Sequence, residues 1–273
     1  HARISQYDGL IELVRGKVAV PDRTMCLAGS GSGFHGFKGR PWASPPGNLY
    51  LAIHLAPGQP VERFGVAFTI LAALSVVDAL DQIGGLEGRS GIKWVNDILV
   101  EGAKVGGVLA YTQSQGEHVT SAVLGIGLNV LTTPVVEPTP FVPKVASVRD
   151  FVPDSGPPLR SRVFEALLTA LDRNYRSLLN RGTHGLLERY RDRSSVLGKE
   201  VTVFSEATEG PLKAMASGRV EALGENLELI LEGGSRPLTG GRLALASPPE
   251  EPEPGAVPSP AIGGATMATR DVG

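Results

Sequence analysis

The 273-residue chain carries 26 lysines and arginines against 28 aspartates and glutamates, 42% apolar residues and one cysteine. A near-neutral balance without a basic block gives no electrostatic case for DNA as the main partner. The lone Cys26 excludes a disulfide framework and a thiolate cluster, and no apolar run approaches the roughly 20 residues of a membrane span. The length suits one large domain or two modest ones. With no signal peptide in view, the expected location is cytoplasmic.

Residues 4–16 predict a short helix ending at Gly16, and residues 23–28 a strand in which Cys26 has an apolar setting and reads as a buried structural thiol. The glycine-dense stretch 29–39 follows, a flexible cover or a backbone cradle. Residues 48–55 alternate Leu49, Leu51 and Ile53 with Tyr50 and Ala52, a strand pattern. Residues 62–83 give the strongest helix: Val66, Ile70, Leu74, Val77 and Leu80 mark one face, and Phe68, Leu71 and Ala72 widen it until little polar face remains. Such a helix buries itself against a sheet.

Residues 93–109 predict a β-hairpin, with strand-like runs 98–100 and 105–109 around the turn residues Glu101 to Lys104. Closing it brings Lys104 toward the cleft that Asn96 and Asp97 face, and Gly106 and Gly107 leave bare backbone for a ligand to approach. A strand over 119–130 comes next, then a proline-rich connection, 131–158. Amphipathic helices are expected at 159–180 and 185–193, the second with its arginines outward. Beyond Gly198, short strands at 200–204, 216–223, 227–231 and 242–246 suggest a small β-barrel. Residues 248–273 are rich in proline and glutamate and are expected to be disordered.

Three ordered stretches resemble a known family. Lys93-Trp94-Val95-Asn96-Asp97, followed by Lys104 and Gly107-Val108-Leu109, resembles the Lys-Trp-Pro-Asn-Asp…Lys-x-x-Gly-Ile-Leu signature of biotin-protein ligases, with Val95 in the proline position. The run from Trp42 through Gly47-Asn48-Leu49-Tyr50-Leu51 is similar to the family's Trp-x-Ser-Pro-x-Gly-Asn-Leu-Tyr-Leu, and Gly125 to Val130 to its Gly-Ile-Gly-Ile-Asn-Val. The resemblance implies an α/β (α+β) catalytic domain of class II synthetase-like type over 1–195, a mixed β-sheet with packed helices, and an SH3-like C-terminal barrel over 196–247. There is no room before residue 20 for the helix-turn-helix domain that some ligases of this family carry, so no DNA-binding repressor is expected.

The implied activity is ATP-dependent formation of biotinyl-5'-AMP and transfer of biotin to a lysine of a biotin carboxyl carrier domain, with Mg²⁺; a homodimer is left open. Lys104 matches the family's essential lysine and is otherwise a solvated turn residue. On the ATP side the resemblance places Trp42 stacked on adenine, Arg40, Lys38, Asn48, Asn96 and Asn129. Lys93 is either a phosphate contact or a strand-end surface charge, and Asn48 and Asn129 equally suit backbone ties at strand ends. Asp97 would hold Mg²⁺ or orient Lys104. On the biotin side stand Gly107, Ser32, Gly36 and Ser5.

Departures gather on the acid side. Aligned from Ala28 to Trp42, two loop arginines of the family become His35 and Phe37, a glycine becomes Phe34 and the glutamine becomes Gly31. Gln6 and Tyr7 replace Thr-Asn, and Tyr111 replaces a glutamate. The alternatives are a ligase for lipoate or another acid, and a non-catalytic relative that holds nucleotide or a carrier.

Overall fold

The computed structural model describes residues 1–153, 158–206 and 213–245. The elements are α1 (Gln6–Arg15), β1 (Thr24–Ala28), β2 (Leu49–Leu55), β3 (Gln59–Pro60), α2 (Phe64–Leu80), β4 (Ser90–Lys93), β5 (Asp97–Val100), β6 (Ala103–Gln115), β7 (His118–Leu128), α3 (Leu159–Arg181), α4 (His184–Asp192), β8 (Glu200–Phe204), β9 (Ala214–Leu223), β10 (Leu229–Leu231) and β11 (Arg242–Leu245). The tail 248–273 lies outside the described residues. Among the described residues no helix is long and apolar enough to cross a membrane.

The main sheet runs β1-β2-β7-β6-β5-β4, with β3 added beside β7. Each of its strand pairs is antiparallel, which corrects the expectation of a mixed sheet. The reason is connectivity: short turns join β5 to β6 and β6 to β7, and a tight hairpin can pair strands only in the antiparallel sense.

One side of this sheet is closed by α2, whose Phe68, Ile70, Leu71 and Leu74 are fully buried, with α3 packed behind it. Burying a leucine or isoleucine this completely contributes about 1.5–3 kcal/mol, so α2 is the spine of the core. Its C-terminal end carries Asp78 and Asp81, charges that a helix C-terminus disfavours. Arg189 and Arg193 turn inward to pair with them, Arg189 Nη2 lying 2.6 Å from Asp78 Oδ1. The arginines expected to face outward from this region are therefore partly used as clamps.

The other side of the sheet is covered only in part. Leu10, Ile11 and Val14 of α1 pack on Ala52 and Val123, so all seven residues of β2 are buried, although their side chains still alternate in direction. Cys26 packs beside this cluster and is only half-buried, because β1 is a sheet edge. Past the end of α1, the face formed by Gly107, Gly125 and Gly127 carries no side chains of its own. That gap becomes the floor of a cavity.

The C-terminal strands form an antiparallel sheet ordered β10-β9-β8-β11. It is continuous with the main core, since Val201, Val203, Val220 and Leu229 belong to the same buried cluster as α2. Trp94 Nε1 donates to the Leu227 carbonyl at 2.6 Å and fixes the junction. Strand β4 was not expected: of Ser90-Gly91-Ile92-Lys93 only Ile92 is β-branched, and the strand exists because β5 supplies its pairing.

Candidate active site

The hairpin between β5 and β6 turns on two residues, Glu101 and Gly102, both at positive φ (49° and 79°). This geometry matches the twist of the flanking strands. The turn is tighter than expected, and Ala103 and Lys104 are already in β6. The register then shifts: Ile98 faces Gly106 while Leu99 faces Lys104, so Val105 is an extra residue on β6. Continued unbroken from this two-residue turn, the register would set Gly106 opposite Asp97. The bulge brings Gly107 there instead, while Lys104, paired with Leu99, shares the face of Asp97. Lys104 Nζ lies 2.6 Å from Asp97 Oδ1.

A cavity of about 550 Å³ opens over this face, within the range of small-molecule sites. It is lined by Lys104, Asp97, Asn96, Lys93, Trp42, Arg40, Gly107, Gly36, Ser5 and Asn129, so ten of the expected site residues converge. Gly107 and Gly127 are cross-strand partners, and the Trp42 indole lies across them. A Cβ added at Gly127 would sit 2.8 Å from Trp42 Cε2, and one added at Gly107 would sit 3.2 Å from Cζ3. Lys104 Nζ is 5.3 Å from the centre of the Trp42 ring. Asn96 is bound to β6, its Nδ2 donating to the Val108 carbonyl at 2.8 Å, and so fixes the hairpin mouth.

Lys93 is 5% exposed and donates to the Phe141 carbonyl. The surface-charge alternative for this residue is therefore corrected. Burial lowers its pKa to about 8, helped by the cations Lys104, Arg242 and Arg40 and opposed by Asp97. Three polar atoms of cavity-lining residues are buried with no partner among the described residues: Trp42 Nε1, Asn129 Oδ1 and Arg242 Nε. Such atoms are costly unless a ligand or water meets them.

Three expected site residues lie elsewhere. Asn48 is buried away from the cavity: Oδ1 accepts the N–H groups of Val130, Leu131 and Thr132, while Nδ2 donates to the Thr132 carbonyl at 2.8 Å. Its donors and acceptors are spent on backbone, which corrects its assignment to the nucleotide. Lys38 pairs with Glu206 on the rim. Ser32 is exposed outside the cavity.

The structure adds residues that sequence reasoning missed. The stretch 131–145, expected only to connect, lines the cavity through Pro134, Val136, Glu137, Thr139, Phe141 and Val145. From β11 comes Arg242, its Cζ 3.7 Å from the Phe141 ring centre. The acid side holds Tyr7, whose ring lies on Gly125: a Cβ there would be 2.9 Å from Tyr7 Cδ2. His35 Nε2 is 2.9 Å from Asp8 Oδ2 and its Nδ1 is 3.0 Å from the Gly36 carbonyl. Both ring nitrogens thus face acceptors, and the Gly36 carbonyl and Asp8 raise the His35 pKa above its ordinary value. No sequence pattern flagged Arg242 or the 131–145 wall, because each reaches the cavity by long-range packing.

Residues 17–129 match the model of the "Biotin/lipoate A/B protein ligase family". Among curated relatives in that family's range, the bifunctional ligase/repressor BirA of Bacillus subtilis is 30% identical over 166 residues, 60% of this chain and 49% of that protein. The biotin--[acetyl-CoA-carboxylase] ligase of Paracoccus denitrificans is 37% identical over 106 residues, 38% of this chain and 44% of that protein. The chain thus spans about half or less of these relatives' lengths. A solved biotin protein ligase from Aquifex aeolicus, in complex with biotin and ATP, superposes with a TM-score of 0.69 at 22% identity, covering 90% of this chain and 96% of that one. At that identity the likeness establishes the fold. Asp97, Lys104, Gly107 and Trp42 all fall within the matched family segment.

Proposed function

We propose that the protein is a biotin-protein ligase: it joins biotin to AMP at the expense of ATP and passes the biotinyl group to a lysine of a carboxylase carrier domain. The observation that carries this reading is the Lys104–Asp97 pair above a glycine floor, inside the segment that matches the ligase family. The ligase named in Paracoccus denitrificans acts on acetyl-CoA carboxylase, and the carrier assigned here follows from that likeness.

The chemistry suits the groups present. A carboxylate oxygen of the acid attacks the α-phosphorus, the bond to the bridging oxygen breaks, and pyrophosphate leaves with its electron pair. A lysine amine then attacks the acyl carbon, AMP leaves, and the amine loses a proton. Both steps gather negative charge on phosphate oxygens, where a fixed cation lowers the barrier. Lys104 is that cation, oriented by Asp97, and Lys93 and Arg40 add positive field. Trp42 caps the floor at the nucleotide end, and Asn129 Oδ1 offers an acceptor there.

Among the described residues no three carboxylate, histidine or cysteine groups converge as a metal site. Mg²⁺ fits only as an ion held chiefly by phosphates with one or two carboxylates, and Asp97 is the carboxylate placed for it. In domain terms, residues 1–195 form the catalytic unit and 196–247 an SH3-like module whose strand β11, with the residues just before it, adds to the cavity wall. The test is ATP-dependent incorporation of labelled biotin into a purified carrier domain, with Lys104→Ala as control. Incorporation that the variant loses supports the reading; no incorporation by the wild type overturns it.

A second reading, a ligase for another carboxylic acid on the same nucleotide machinery, is favoured by one observation. Tyr7 covers Gly125, and Phe34 occupies the space beside Gly31, so two bulky rings stand on the acid side of the cavity.

A further inference from the structure

We propose that Tyr7 is a specificity-determining residue whose ring closes the acid end of the cavity and sets the length of carboxylic acid that can be activated there. The inference rests on the adenylating reading above and holds for whichever acid the site takes.

On the cavity face of β2, β7 and β6, side chains fall in rows about 7 Å apart, two residues of antiparallel strand. The first row is Tyr50, Gly127 and Gly107, with Trp42 lying on the two glycines. The second is Ala52, Gly125 and Leu109. The third is His54, Val123 and Tyr111, where Leu10, Ile11 and Val14 of α1 already pack on Val123. Open floor therefore ends at the second row, and Tyr7 stands on it: its ring touches bare Gly125 backbone.

The ring is held in place from both sides. His35 meets it edge-on, with ring centres 6.4 Å apart, and is itself bound to Asp8. Gln6 Nε2 donates to the Tyr50 carbonyl at 3.0 Å. Both chain neighbours of Tyr7 are thus tied down in the first turn of α1, and the ring cannot swing aside without loosening a tie. Burial, with Asp8 and Tyr111 nearby, raises the Tyr7 pKa, so the phenol stays neutral and suits the uncharged end of an acid.

The opposite limit is the Lys104–Asp97 pair, where the carboxylate must meet the α-phosphate. An acid too long for the interval abuts Tyr7 and carries its carboxylate out of line. A misplacement of about 1 Å costs roughly 100-fold in rate.

The test is single-turnover pyrophosphate release by the full chain with ATP. Biotin, lipoate and octanoate are offered first, then homologues of the accepted acid lengthened by single methylenes, to wild type, Tyr7→Phe, Tyr7→Leu and Gly125→Ala. Rates are compared between homologues within each variant, a ratio that a general loss of fold does not move. Wild type should lose about 100-fold at the first homologue that is too long. Tyr7→Leu should recover that homologue at least about tenfold relative to the parent acid. Tyr7→Phe should keep the wild-type limit, and Gly125→Ala, which pushes the ring into the cavity, should shorten it. A wild-type length profile in Tyr7→Leu, or a limit lost in Tyr7→Phe, would overturn the role of the ring. Should Tyr7→Leu fail to fold, Gly125→Ala carries the test, and an unaltered limit there overturns it. Wild-type protein that releases pyrophosphate with none of the acids overturns the adenylating reading beneath it.

Discussion

Trp42 and Gly127 are in contact face to face: the indole occupies the space in which any other residue at 127 would place its Cβ, 2.8 Å from Cε2 and Cζ2. The cross-strand neighbour Gly107 makes the same allowance. Gly127→Ala should therefore lift Trp42 off the sheet and weaken nucleotide binding by about tenfold, the equivalent of roughly 1.4 kcal/mol. Tryptophan fluorescence and ATP titration of the variant check this, and an unchanged affinity would show that the seat of Trp42 is irrelevant to the nucleotide.

The pair between Asp97 and Lys104 gives the second prediction. Both side chains are about one-fifth exposed, so neither is a keystone of the core. Lys104→Ala should reduce the rate of acyl-adenylate formation about 100- to 1,000-fold, the scale of losing one fixed stabilising donor. Its cooperative unfolding transition should persist. Turnover near the wild-type rate in single-turnover assays would remove Lys104 from the chemistry.

The third concerns pH. Burial lowers Lys93 to about 8, below the ordinary 10.5 that it regains on unfolding. Between those values the unfolded chain holds a proton that the folded protein has released, so this group makes stability rise with pH across the window. Its use to an anion has the opposite trend: the ammonium is present below about pH 8 and lost above it. ATP affinity should fall as pH rises through that value, with protons taken up on binding at pH 8. Titrations in buffers of different ionisation enthalpy measure the uptake, and an affinity flat from pH 7 to 9 would contradict the assignment.

His35 supplies the fourth. Its Nε2 meets Asp8 of α1, beside Tyr7, while its Nδ1 faces the Gly36 carbonyl, which ties the glycine-rich loop to the helix. Because the folded pKa is raised, the tie is complete below the unfolded value of about 6.5 and is lost as pH rises through the folded value. Asp8→Asn should move the His35 imidazole titration downward and speed amide exchange of residues 29–39 at neutral pH. Identical titration curves for both proteins would rule out the tie.

Much of the architecture could be read directly. The apolar surround of α2, the face of α3 and the hairpin around Glu101-Gly102 all follow from periodicity and turn chemistry, because local pattern and tertiary packing agree there. The convergence of Lys104, Asp97, Asn96 and Trp42 followed from motif order. The bulge at Val105 did not, since an extra residue in a strand leaves no mark in composition. Asn48 shows a different limit: an asparagine that binds a ligand and one that caps three backbone N–H groups have the same sequence signature. Arg242 and the 131–145 wall meet the site from more than a hundred and from several tens of residues away along the chain, a distance over which pattern carries no information. The antiparallel sense of the sheet was decided by connections whose hairpin turns are short.

The most direct measurement of the central claim is ATP-dependent pyrophosphate release by the purified chain, with biotin, lipoate and octanoate supplied separately. The account predicts release with biotin, lost in Lys104→Ala. Release with lipoate or octanoate alone would transfer the activity to that acid, and ATP binding without release in the presence of any of the three would contradict an adenylating enzyme altogether.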